Sequence, residues 1–123
     1  MDEENFKLLL TDFIENTEHK YFTTHTKLCF FKIHRIYIRV LNGHGPKFGG
    51  VKINKETKLI IDGNHRYIAY ALANFAFEEI NWTRNHSDIN KNINDIEIDY
   101  VQDWDRNNLE TIKYCSDDFL LDL

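Results

Sequence analysis

Residues 59–75, LIIDGNHRYIAYALANF, change period within a few positions. Leu59, Ile60 and Ile61 form an apolar run rich in β-branched residues, which reads as a buried strand near 58–62. Ile68, Ala71, Leu72 and Phe75 recur at helical spacing and predict a helix near 64–75. Between them lies the polar pentad Asp62-Gly63-Asn64-His65-Arg66. A strand that passes through one glycine into a helix restricts the fold. The reading is α/β (α+β): one small domain over residues 1–123, with a mixed sheet.

The flanking sequence supplies the other elements. Phe6, Leu9, Leu10, Phe13 and Ile14 mark one face of an amphipathic helix over 3–18, and Asp2, Glu3 and Glu4 stand at its start, where the helix dipole favours anions. Residues 27–33 read as a strand. Residues 35–40 alternate strictly, which predicts a second strand with Arg35, Tyr37 and Arg39 on its outer face. Residues 41–50 hold four of the five glycines and the only proline, so a loop is expected, mobile unless a ligand orders it. Short strands are expected at 51–53 and 59–61, joined by a turn over 54–57. Further on, 75–82 leads into a strand, 83–95 is loop, 96–101 is a strand and 109–114 a last helix.

Charge is segregated along the chain. The formal net charge is −5, which argues against a protein that coats DNA. From His19 to Lys55, however, there is no Asp or Glu, while that span carries eight Lys or Arg and four His. Either this segment pairs internally with the acidic ends, or it holds an anionic ligand, with nucleic acid among the candidates. The only cysteines, Cys29 and Cys115, form no CxxC pattern and suit a reducing cytosol. No segment has the length of a membrane span, so a cytoplasmic location is expected.

The pentad has the chemistry of an anion site. A helix N-terminus offers unpaired N–H groups and partial positive charge. Gly63 permits a positive φ and a close approach by a ligand. Asn64 is suited to cap the helix. Arg66 presents a fork of donors matched to phosphate. The competing reading is a capped helix whose Arg66 pairs with a carboxylate. His65 is either a phosphate donor or general acid, or a ring satisfied by backbone. His44, between two loop glycines, is a weaker candidate for closing over a phosphate. Asp62 is read as a brace for the turn rather than a Mg²⁺ ligand, and no transition-metal site is expected. Tyr70 shares a helix face with Arg66 and is placed in the pocket, while Tyr67, Trp82 and Trp104 are assigned to packing.

The stretch LIIDGNHRYIAYAL resembles the signature of the ParB/sulfiredoxin superfamily, in which a strand enters an Asp-Gly-x-His-Arg-like turn followed by a helix. The similarity runs from KIHRIYIRV through GGVKI to FEEINW, roughly residues 32–82. It implies a turn that grips nucleotide phosphates through Asp62, Gly63, Asn64, His65 and Arg66. ATP or CTP with Mg²⁺ would be the cofactor, and phosphoryl transfer or nucleotide hydrolysis the chemistry. This chain departs from each specialised branch. Asn64 stands where sulfiredoxins carry their cysteine, so thiol repair is not expected, and Cys29 reads as a buried thiol. The glutamate used by kinase-like members has no counterpart between residues 19 and 55. The sequence after Trp82 is too short for the DNA-binding domain of partitioning proteins.

Three functions remain open. The first is a nucleotide-dependent module. The second is a toxin-type nuclease of the same fold, with residues 19–55 tracking the phosphate backbone. The third is a small acidic immunity or interaction protein that binds a protein partner and retains the fold without the activity.

Overall fold

The computed structural model describes residues 2–120 and shows a mixed α/β domain of three helices and a mixed sheet. The domain expectation also reaches Met1 and residues 121–123, which lie outside the described residues. Helix α1 spans Glu3–Asn16; the Asp2 carboxylate accepts from the Asn5 N–H at 2.8 Å and caps it. Phe6, Leu10 and Ile14 bury its apolar stripe, each worth about 1.5–3 kcal/mol of transfer from water.

The main sheet is built from β1 (Phe22–Thr23), β3 (Val51–Asn54), β4 (Leu59–Asp62), β5 (Glu79–Asn81) and β6 (Lys91–Asn92), in the order β5-β3-β4-β1-β6. The β3–β4 pair is antiparallel, while β1 runs parallel to β4 and β5 parallel to β3. The β3–β4 turn is held by Asn54, whose Oδ1 accepts from the N–H groups of Glu56 and Thr57. A separate parallel pair joins β2 (Lys27–Cys29) to β7 (Glu97–Asp99). Helix α3 (Asn64–Leu72) follows β4 through Gly63 alone.

The expected strands at 27–33 and 35–40 are corrected. Only Lys27–Cys29 is extended, and Phe30–Arg39 forms helix α2. The run FFKIHRIYIRV satisfies two periods at once. Alternation places Ile36, Ile38 and Val40 together, whereas helical spacing places Phe30, Ile33, Tyr37 and Val40 together, and these four are its buried hydrophobic residues. Packing against α1 and α3 decides for the helix, overriding β propensity. Arg39 therefore does not lie on an exposed strand face; it is 5% exposed.

Other elements shift as well. The 41–50 loop is wound into a π-type turn, Val40–His44, and a 3-10 turn, Gly45–Phe48. The expected 83–95 loop contains β6 and a 3-10 turn, Ile93–Asp95. The last helix is a 3-10 turn at Ile112–Cys115.

Much of the basic segment is spent on internal pairing. Arg35 forks onto Asp103 at 2.6 and 2.7 Å and reaches Asp105 at 2.7 Å, with Lys32 3.6 Å from the other Asp105 oxygen. Arg39 donates to the Tyr114 and Ser116 carbonyls and to Asp117, and the Phe119 ring lies 4.7 Å from its guanidinium carbon. The acid-free helix α2 thus pins down the acidic C-terminal segment.

Removing Arg35 leaves Asp105, only 3% exposed, short of its main partner. Arg35→Ala is expected to lower unfolding free energy by about 3 kcal/mol, the lower end for a broken buried pair. Urea titration measures it; a loss below about 0.5 kcal/mol would contradict the assignment. Arg35 also holds the Asp103 carboxyl below its usual range. That contribution is present above the ordinary Asp value of about 4 and fades as pH falls through the lower folded value. The acid limb of the stability curve should therefore flatten in the variant.

Candidate functional site

Parallel neighbours β1 and β4 end side by side, and their carboxyl ends open on one cleft. Thr24 and His25 follow β1, and Asp62 and Gly63 complete β4. Ligands of open α/β sheets bind at such strand ends. The cleft has a volume of about 440 Å³, within the range of small-molecule sites.

Gly63 is in the left-handed region, with φ of 95°. It is also filled from above, because a Cβ there would stand 2.7 Å from Arg66 Nη2 and 3.1 Å from its Nε and Cζ. The guanidinium lies across the turn in the space a side chain would take. The positive φ is what calls for glycine; the crowding falls on the far end of a flexible arginine, which could move aside. No side chain caps α3. The expected Asn64 cap is corrected: Gly63 is the cap residue, and Asn64 is the first residue of the helix and 3% exposed. Asn64 Oδ1 accepts from the Thr23 hydroxyl at 2.5 Å, and its Nδ2 donates to Thr24 at 3.1 Å. It ties the helix start to β1, leaving the first-turn N–H groups without a side-chain acceptor.

Arg66 is the least satisfied cation of the site. Its Nη2 lies 3.7 Å from Asp62, whose side chain is 62% exposed. Its Nε is buried with no hydrogen-bond partner among the described residues. Asp62 thus faces Arg66 loosely and makes no hydrogen bond to the turn's N–H groups, contrary to the expected brace. Lys32 and Lys47 add positive charge around the cleft, Arg39 in its wall is paired with Asp117, and Asp62 is the one carboxylate among its described lining residues.

His65 borders the cleft with its ring mostly enclosed. Its Nε2 accepts the Cys29 N–H at 2.9 Å, which places the ring proton on Nδ1. Burial first, then the charges of Lys32, His25 and Arg66, push its pKa well below the usual histidine value. The neutral ring is a fixed hydrogen-bond donor through Nδ1, with its basic nitrogen already used. Cys29 is fully buried, and its thiol donates to the Gln102 carbonyl.

Trp104 and Trp82 are corrected from core to half-exposed. Trp104 walls the cleft, edge-on to His65 at 5.4 Å, with its Nε1–H donated to Asp99 at 3.0 Å. The Gln102 N–H first, then the Trp104 Nε1–H and the Val101 N–H, pull the Asp99 pKa down to about 2. Tyr70 is fully buried and does not line the cleft; its hydroxyl donates to the Gly49 carbonyl at 2.7 Å. Tyr67 packs edge-on against Tyr21. His44 sits in a neighbouring depression with Asn42 and Asp117 rather than beside Arg66. Among the described residues no group of three or more His, Cys, Asp or Glu is arranged to hold a metal ion, and no helix is long and apolar enough to cross a membrane.

No family model, no curated protein and no solved structure matches this chain.

The His65 environment sets a pH response. The folded pKa is below the unfolded value of about 6.5, so the unfolded chain binds the extra proton. Stability from this group is complete above pH 6.5 and declines as pH falls, by at most about 1.4 kcal/mol per pH unit. His25, pushed down by partial desolvation and by Lys32, adds in the same direction. His65→Gln should remove more of the slope between pH 7 and 5 than His25→Gln, as read from urea midpoints. Equal slopes in all three proteins would refute the assignment.

Proposed function

We propose that this cleft binds a nucleotide by its phosphate, in a domain of the ParB/sulfiredoxin kind. The observation that carries the reading is Arg66: a guanidinium laid over Gly63 at an uncapped helix start, loosely paired, with one buried donor free. A phosphate oxygen would satisfy Arg66 and the first-turn N–H groups together. His65 and Lys32 border the same space. Trp104 offers a face for a base, with Phe48 also in the lining.

ATP and CTP are the nucleotides that the resemblance of LIIDGNHRYIAYAL suggests, and the residues fit them in kind: cations for the phosphates and an aromatic wall for the base. Magnesium would arrive on the phosphates, with Asp62 the carboxylate near enough to meet it. Binding is better supported than a particular reaction, since the basic nitrogen of His65 is engaged.

Charge-assisted hydrogen bonds contribute about 1.5–3 kcal/mol each. Arg66→Ala should weaken ATP or CTP binding by roughly 10- to 150-fold. Arg66→Lys should recover part of this, and Lys55→Ala, in the exposed β3–β4 turn, should change little. A thermal-shift panel of ATP, CTP, AMP and inorganic phosphate, with and without Mg²⁺, identifies the ligand. At 100 times its dissociation constant a ligand adds about 2.7 kcal/mol. Binding that is unchanged in a folded Arg66→Ala protein would reduce the pentad to a structural turn.

A further inference from the structure

The cleft at Arg66 does not end at His25. A second concavity, formed by the segment after β5, takes His25 as part of its own lining together with Trp82, Arg84 and His86. His25 is exposed on the ridge that the two share. The His65 ring touches both Trp104 and His25, with centroids 5.4 and 6.2 Å away, so the aromatic lining of the first concavity continues to that ridge. Beyond it Trp82 is half-exposed, its backbone N–H fixed to the Ile53 carbonyl at 3.0 Å and its ring held by Lys52, whose ammonium is 4.0 Å from the centroid.

The charge along this path is one-sided. Lys32, Lys47, Arg66 and Arg84 line the joined concavities, Arg39 there being taken up by Asp117, and Asp62 is the one carboxylate among the described lining residues, in a chain with 20 acidic residues and 15 Lys or Arg. Carboxylates border the path sparsely, with Asp105 and Asp117 engaged behind Lys32 and Arg39, so a polyanion meets attraction along it. A positive groove with aromatic platforms at intervals is how proteins hold single-stranded nucleic acid, because every base has a face to stack and every link a phosphate to neutralise. A mononucleotide uses one platform and one cation cluster and leaves Trp82 and Arg84 without a role.

We propose that the two concavities form one groove for a short single-stranded oligonucleotide, with the terminal phosphate at Gly63–Arg66, one base at Trp104, the strand crossing at His25 and a later base at Trp82. The proposal rests on the phosphate site described above and extends it from a nucleotide to a strand.

Calorimetric titration of the full chain with 5′-phosphorylated oligothymidylates of one, two, four and six nucleotides tests it. Affinity should rise at least tenfold from one to four nucleotides and then level off. Trp82→Ala should remove most of that rise while leaving thymidine monophosphate binding unchanged. Arg84→Ala, on an exposed residue that the fold does not need, should lower the salt slope for the tetranucleotide by about 0.7. Arg66→Ala should weaken every length. Monophosphate binding with no gain in the longer oligomers would overturn the groove and leave the nucleotide site standing. Failure of every length, with ATP and CTP also unbound, would overturn both. Hexaglutamate bound as tightly as the tetranucleotide would also overturn the groove, in favour of an acidic peptide.

Discussion

The fork of Arg35 onto Asp103 and Asp105 is the contact on which the site depends. Trp104 lies between those two aspartates, so the pair that Arg35 anchors also sets the tryptophan at the cleft wall. Within residues 99–105 only Tyr100 packs against the core, its ring 5.3 Å from that of Phe30. Ion pairing from α2, the bonds of Asp99 to the Val101 and Gln102 N–H groups and to Trp104, and the Cys29 thiol on the Gln102 carbonyl hold the rest. Charge that would contribute little on an open surface is effective here because Asp105 is enclosed and the fork is bidentate.

The same contacts resolve the charge segregation of the chain. The basic stretch both pairs internally and leaves a positive field, and the division follows position on the helix. Arg35 and Arg39 of α2 face the C-terminal segment and are consumed by it. Lys32 shares Asp105 at longer range and still borders the cleft. Arg66 comes from a different element, and the turn that positions it gives it only the exposed Asp62 carboxylate, 3.7 Å away. A small domain of net negative charge can in this way keep one locally positive concavity.

The strand-glycine-helix junction was legible in the sequence because it rests on local rules: a β-branched run, one residue with positive φ, then a 3.6 period. Helix α1 and the Asn54 turn were legible for the same reason. Helix α2 was not, since FFKIHRIYIRV fits both periods and tertiary packing chose between them. Trp104 was not legible either. Its place depends on ion pairs between residues about 70 positions apart, which no window along the chain reveals. The usable signal was complementarity: an acid-free basic stretch and, far downstream, the acid-flanked tryptophan of Asp103-Trp104-Asp105. For Asn64, residue type suggested a cap, but the buried hydroxyls of Thr23 and Thr24 claimed its amide.

The two tryptophans have an optical consequence. They are the only two in the chain, and neither is in the core. One stands edge-on to a histidine ring and the other under a lysine ammonium. Excited indoles are sensitive to nearby proton donors and to stacked bases, so the ultraviolet emission of this protein arises from the two concavities rather than from its interior. With Trp82 and Trp104 replaced singly by Phe, each emission band would report the occupancy of its own concavity without an attached dye.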